Sequence, residues 1–117
     1  MSYIDGMVVP VPKKNLAAYK RMSRTFGKVW REHGALAWTE CAADDVKPGK
    51  VTSFPQAVKL KPDEIVVFSW VVYESRKERD RINKAAMSDP RVAKAMKSSP
   101  IDGKRMFFGG FKPIVQL

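Results

Sequence analysis

Residues 64–74, EIVVFSWVVYE, are apolar at nearly every position on both parities. Successive side chains of a strand point to opposite faces, so a strand of this composition has to be covered on both sides. The chain has 117 residues, enough for one core and too short for two, and the expected organisation is a single domain over 1–117. The remaining elements must therefore supply one cover for this strand, and something outside the chain the other.

Residues 2–11, SYIDGMVVPV, read as a first strand closed by Pro10 and Pro12, neither of which donates to a ladder. From Lys13 to His33 no proline intervenes, and Leu16, Tyr19, Met22, Ser23, Phe26, Val29, Trp30 and His33 fall in one helical arc. Gly34 suits the position past the helix end. ALAWTECAA (35–43) predicts a second strand ended by Asp44-Asp45 and Pro48-Gly49. The stretch up to Asp63 is an excursion with a short helical turn capped by Thr52 or Ser53; its apolar Val51, Phe54, Ala57 and Val58 favour an arm that embraces a second subunit over a lid. After the 64–74 strand, Ser75 opens a charged helix with Glu78 in capping-box position, and Pro90 separates a short helix from Asp89 through Met96. RMFFGGFKPIVQL (105–117) supplies the last strand, its Gly109-Gly110 pair marking a bulge or a close backbone approach.

The order β-α-β-β-α-β is the ferredoxin-like, split βαβ arrangement of an α+β protomer: a four-stranded antiparallel sheet with two helices on one face. Helices on one face leave the other bare, and the strands there carry aromatic residues, so a homodimer joined through the open sheet faces is expected. The segments VWREHGAL (29–36), GKVTSFPQAV (49–58), VVFSWVVYESRKERD (66–80) and DGKRMFFGGF (102–111) resemble those of the YbaA-like family, domain of unknown function 1428, in the dimeric α/β-barrel superfamily. The resemblance implies a ferredoxin-like protomer that dimerises into an eight-stranded barrel. It implies no activity of its own: other branches of that superfamily include cofactor-independent monooxygenases, haem-degrading enzymes, lactone isomerases and stress-responsive dimers, with ligands held between sheet and helices.

Lys and Arg outnumber Asp and Glu by 22 to 12, a net charge of +10. Lys13, Lys14, Lys20, Arg21, Arg24, Lys28 and Arg31 lie opposite the apolar arc of the first helix, a stripe able to hold phosphates without reading sequence. No recognition-helix or RNA-binding signature accompanies it. One cysteine, Cys41, lies within an apolar stretch and fits a reducing compartment as a small hydrophobe, and the N-terminal residues lack a charged lead followed by an apolar run, so the expected location is the cytoplasm, with no membrane partner. One histidine and one cysteine cannot assemble a zinc site, so no metal is expected. No Walker loop, dinucleotide fingerprint, nucleophile elbow or C-x-x-C is present, and no cofactor is expected.

Among polar residues three stand out as catalytic candidates. Glu40 lies in the second strand on the side of Leu36, Trp38 and Ala42, where a buried carboxyl would have a raised pKa and act as acid or base; paired with Arg79 or Arg105 it would be an ordinary ion pair. His33, the one group that titrates unperturbed near neutrality, is a candidate relay, or else a helix C-terminal residue that complements the dipole. Arg105 is the candidate holder of a negative charge on the ligand. Asp5 raises the same question as Glu40 in a setting closer to solvent. Tyr3 and Trp38 are candidate walls for a planar ligand, Trp70 is a candidate interface residue, and Arg79 and Asp80 begin the second helix where an anion could sit. The function these residues suggest is binding or transformation of a small apolar or aromatic molecule, neutral or anionic, between sheet and helices. The alternative is a non-catalytic dimer binding nucleic acid or another partner through its basic helix.

Overall fold

The computed structural model describes residues 2–117. Its elements are β1 (Tyr3–Pro12), a 3-10 turn (Lys13–Asn15), α1 (Leu16–His33), β2 (Ala37–Ala42), α2 (Phe54–Ala57), β3 (Glu64–Tyr73), α3 (Arg76–Met87), α4 (Pro90–Lys97) and β4 (Phe107–Phe111). The strands form one antiparallel sheet in the order β2-β3-β1-β4. This is the expected ferredoxin-like α+β architecture, with α1, α3 and α4 on one face. No helix is long and apolar enough to cross a membrane among the described residues.

The helix boundaries follow local chemistry. Gly34 closes α1 at φ 120°, a conformation side chains resist, and its N–H reaches the carbonyl of Arg31. Ser53, Ser75 and Asp89 cap α2, α3 and α4 by accepting the N–H of Gln56, Glu78 and Arg91. Glu78 does not close a reciprocal box; its carboxylate turns to Arg81 at 2.6 Å.

The strand register sorts the residues into rows. On the helix face, Trp38, Val71, Asp5 and Gly110 form one row, and Glu40, Ser69, Met7 and Phe108 the next. On the outer face the matching rows are Thr39, Trp70, Gly6 and Gly109, then Cys41, Phe68, Val8 and Phe107. The double-sided apolarity of β3 is thus explained: Val67 and Tyr73 are buried under the helices, while Phe68 and Trp70 look the other way. The core under the helices joins Tyr73, Val29, Ile82 and Val92 at one end to Val9, Val11, Tyr19 and Val67 at the other.

Three expectations are corrected or narrowed. β4 ends at Phe111 rather than running to the C-terminus, since Pro113 cannot extend the ladder. Of the two readings of Gly109-Gly110, the bulge is absent, since the ladder with β1 stays in register, and the close approach holds: a Cβ on Gly110 would meet the Tyr3 ring at 2.8 Å and the Arg79 guanidinium at 2.9 Å. Cys41, read as a small hydrophobe within an apolar stretch, is exposed on the edge strand.

The 44–63 excursion returns to the sheet it leaves. It docks on this chain's own outer face, where Val58 is fully buried with Val8 and Val66, and Phe54 stands edge-on to Phe68 at 5.9 Å. Val51, further out, remains 93% exposed. Arg105 holds the excursion in place through the carbonyls of Val58 and Lys59.

Candidate functional site

The two helix-face rows at the centre of the sheet floor a cavity of about 160 Å³. Trp30 from α1 and Asn83 from α3 close it from above; Trp38, Glu40, Ser69, Tyr73 and Phe108 rise from the strands. A cavity of about this size holds one benzene-sized molecule.

Glu40 owes its position to alternation in β2, which turns it under α1. Tyr19 donates its hydroxyl to Oε1 at 2.8 Å and lies 3.0 Å from Oε2; Ser23 donates to Oε2 at 2.6 Å. Trp38 Nε1 donates to Ser23 Oγ at 2.9 Å, so the wall of the cavity and the carboxylate are linked through one hydroxyl. Both arginines that might have neutralised Glu40 are engaged elsewhere. Arg79 pairs with Asp5 at 2.6 Å and Asp80 at 2.8 Å; Arg105 pairs with Glu64 at 2.6 Å and Asp102 at 3.0 Å.

Burial lifts the Glu40 carboxyl above the usual carboxylate range, and the hydroxyls of Ser23, Tyr19 and Ser69 pull it only part of the way back. Burial first, then the charge and hydrogen bond of Glu40, push the Tyr19 phenol far up, so Tyr19 stays a donor while Glu40 titrates. On its other side Glu40 borders a surface cleft of about 280 Å³ rimmed by Lys20 and Arg24, which opens it to solvent between α1 and β2. A carboxyl with raised affinity for protons, facing both a cavity and solvent, can receive a proton from a bound molecule and pass it out.

The opposite end of the cavity is built differently. Asp5 is neutralised by Arg79, whose guanidinium lies over the Tyr3 ring at 5.0 Å. The bare Gly110 leaves room for that stack. Asn83 Oδ1 accepts from Trp30 Nε1 at 2.9 Å and from the Tyr73 hydroxyl at 3.2 Å. Burial first, then the negative charge of Asp5, raises the Tyr73 phenol, keeping it protonated.

Of the residues singled out from sequence, the structure brings Glu40, Trp38 and Asp5 to the cavity, with Trp70 reaching its edge. It does not bring His33 or Arg105 there. His33 ends α1, and its carbonyl accepts from Arg81 at 2.8 Å. Arg105 binds the nearly buried Glu64 with two hydrogen bonds of 2.6 Å, tying the loop before β4 to the start of β3. Tyr3 is buried beneath Arg79, one layer behind the cavity, and Asp80 is exposed. Trp70 packs with Phe68 on the outer face at 5.6 Å. Tyr19, Ser23, Ser69 and Asn83 were not among the candidates. Ser23 in an apolar helical arc and Ser69 in an apolar strand carried a signal, as hydroxyls placed where a hydrophobe is the default; Asn83 in a charged helix carried none.

Residues 2–103 match the family model described as "Protein of unknown function (DUF1428)". The uncharacterized protein YbaA of Escherichia coli is 48% identical over 115 residues, covering 98% of each chain, and the protein of that name in Shigella flexneri is equally similar. Among solved structures, SnoaB, a cofactor-independent oxygenase from Streptomyces nogalater, superposes with a TM-score of 0.58 at 14% identity over 99% of this chain and 96% of its own. A nipsnap family protein with unknown function from Agrobacterium tumefaciens gives 0.57 at 14% identity, over 96% and 87% of the two chains. A dimeric ferredoxin-like protein from an uncultured marine organism gives 0.56 at 7% identity, over 99% and 98%. Identities this low establish a shared fold and nothing more, whereas the family match and the near-full-length relatives establish kinship: the chain belongs to the DUF1428 family.

Proposed function

We propose that this protein is a homodimeric proton-transfer site for a small, mainly apolar molecule about the size of one ring. The observation that carries the proposal is Glu40: a carboxyl with no cation partner, lifted in pKa by burial, fixed by Tyr19 and Ser23 at the wall of an aromatic-lined cavity. Active sites are where burial without a counter-charge is tolerated, because a base poised nearer neutrality transfers protons more effectively. Glu40 takes a proton from an acidic C–H or O–H of the ligand, and Trp30 and Trp38 flank the ligand and limit water. The same proton-transfer step can begin an isomerisation or a cofactor-independent oxidation by dioxygen, and one fold neighbour is described as a cofactor-independent oxygenase.

The dimer in this proposal forms through the outer sheet face. Ile4, Val8, Phe68, Trp70, Phe107 and Phe111 line an apolar hollow of about 580 Å³ there, with Phe111 63% and Phe107 46% exposed. An open apolar face of this kind marks an association surface.

Native mass spectrometry of protein purified at modest salt, with the denatured mass as control, tests assembly and retained ligand together; a monomer would overturn the assembly. A phenol titration followed by ¹H–¹⁵N NMR tests the site. Phenol is expected to shift the indole N–H signals of Trp30 and Trp38 in the wild type and to bind Glu40→Gln more weakly. Equal binding to both, or shifts confined to the outer face, would overturn the assignment of Glu40.

A further inference from the structure

The cavity that holds Glu40 contains a second polar group whose orientation is fixed. An indole N–H can only donate, so the 2.9 Å contact from Trp30 Nε1 requires that Asn83 present its oxygen to Trp30, with the Tyr73 hydroxyl donating to the same atom at 3.2 Å. The carboxamide Nδ2 is thereby turned away from both. Among the described residues no side-chain or backbone acceptor pairs with it, and Asn83 lines the cavity. Of the other helix-face donors of the lining, Trp38 is committed to Ser23, and Trp30 and Tyr73 to Asn83 itself, while Ser69 sits beside Glu40 in the same row of the sheet. Asp5, the second carboxylate of the cavity, is neutralised by Arg79. What the cavity offers a ligand is therefore a proton acceptor, Glu40, on the sheet, and a neutral amide donor, Asn83 Nδ2, on α3, separated by apolar walls.

We propose that the ligand is a carbonyl compound with an acidic α-hydrogen, its oxygen held by Asn83 and its α-carbon turned to Glu40. This assignment rests on the proton-transfer role given to Glu40 and specifies the substrate class of that site. In the step it describes, the C–H bond breaks and its proton goes to a Glu40 carboxylate oxygen. The freed electron pair forms a carbon–carbon double bond, and the carbonyl π pair moves onto the oxygen, where the Asn83 N–H meets the developing charge. Return of the proton from Glu40 to the oxygen gives the enol, and return to the α-carbon gives back the carbonyl compound with its hydrogen exchanged; either restores the carboxylate. Trp30 and Tyr73 act as positioning residues: by engaging Oδ1 they keep Nδ2 toward the ligand.

The probes are cyclohexanone and methylenecyclohexane, which share a shape and differ in the oxygen. The wild type is expected to bind the ketone roughly tenfold more tightly, the value of one well-made hydrogen bond. Binding should move the carbonyl ¹³C signal of labelled cyclohexanone and the Asn83 side-chain ¹H–¹⁵N signals downfield. Asn83→Asp keeps an acceptor for Trp30 and Tyr73 while removing the donor, and should lose both the preference and the ¹³C shift; Glu40→Gln should keep both and lose only α-deuterium exchange in D₂O. No preference for the ketone in the wild type, or a preference undiminished in Asn83→Asp, would overturn the carbonyl assignment. The Asn83 amide signals are read in the wild type and so decide the matter even where a variant folds poorly. Phenol binding that depends on Glu40 alongside indifference to the ketone would refute this substrate class and leave the acid–base site standing.

Discussion

Gly27 tests whether Trp38 is held where the cavity needs it. In a helix interior, glycine to alanine normally stabilises by about 1 kcal/mol, because alanine has less backbone freedom to lose. At this position the new Cβ would lie 2.8 Å from Trp38 Cδ1 and 3.0 Å from Cγ. The indole has little room to retreat, since Trp30 packs against it at 5.4 Å between ring centroids and Ser23 holds its N–H at 2.9 Å. Overpacking of this kind costs about 1–3 kcal/mol. The steric term outweighs propensity, and Gly27→Ala is expected to destabilise by about 1 kcal/mol, lowering Tm by roughly 3–6 °C for a chain of this size. Thermal unfolding by circular dichroism gives the number, and the Trp38 indole ¹⁵N signal reports the displaced ring. In a Trp38→Ala background the obstruction is gone and the same substitution should stabilise by about 1 kcal/mol, a coupling of about 2 kcal/mol between the two sites. A rise in Tm on Gly27→Ala in the otherwise native chain would refute the packing that locates Trp38, and with it the Trp38–Ser23–Glu40 linkage.

Further expectations concern charge and assembly. Because the folded state raises the Glu40 pKa, ionising it opposes folding; Glu40→Gln should therefore gain most over wild type above the raised pKa, with the advantage shrinking as pH falls toward the ordinary glutamate value, as Tm series between about pH 4 and pH 8 would show. A pH-independent difference would contradict it. Arg105, through its hydrogen bonds, lowers the Glu64 pKa, so that pair contributes stability above the unfolded carboxyl pKa which is lost as pH falls through the lower folded value. Arg105→Met should then lower Tm at neutral pH, lower it less in acid, and leave the Glu40 titration unchanged; a shifted Glu40 titration would return Arg105 to the site. Phe68→Asp places a charge in the outer apolar hollow and should convert a dimer to monomer in sedimentation velocity with its far-ultraviolet spectrum retained. An intact dimer would place the interface elsewhere.

The parts of this molecule that a sequence exposes are those governed by periodicity. β3 declared its two apolar faces through composition, and alternation alone put Glu40 beside Trp38 under the helices. Turn and cap chemistry marked Gly34, Ser75 and Asp89 because each effect acts within a few residues. Choice of partner is different in kind. Arg79 and Arg105 were both plausible companions for Glu40, and only the register across β1, β3 and β4 assigns Asp5 to one, while the loop before β4 brings Glu64 to the other. His33 was prominent as the sole histidine, yet a helix terminus gives it nothing to act on. Asn83 was invisible because its meaning depends on Trp30, 53 residues earlier, donating to its oxygen. The direction in which the excursion folds likewise depends on Arg105 gripping its carbonyls, a contact separated by 47 residues.

The most direct test of the central claim is the titration of the Glu40 carboxyl itself, followed by the side-chain ¹³Cδ signal of the uniformly labelled protein and assigned with Glu40→Gln. Glu40 should titrate above every exposed glutamate of the chain, and Tyr19→Phe or Ser23→Ala, each removing a donor to the ionised form, should raise it further. A Glu40 that titrates with the exposed glutamates, unmoved by either substitution, would show an ordinary solvated carboxylate and contradict the account.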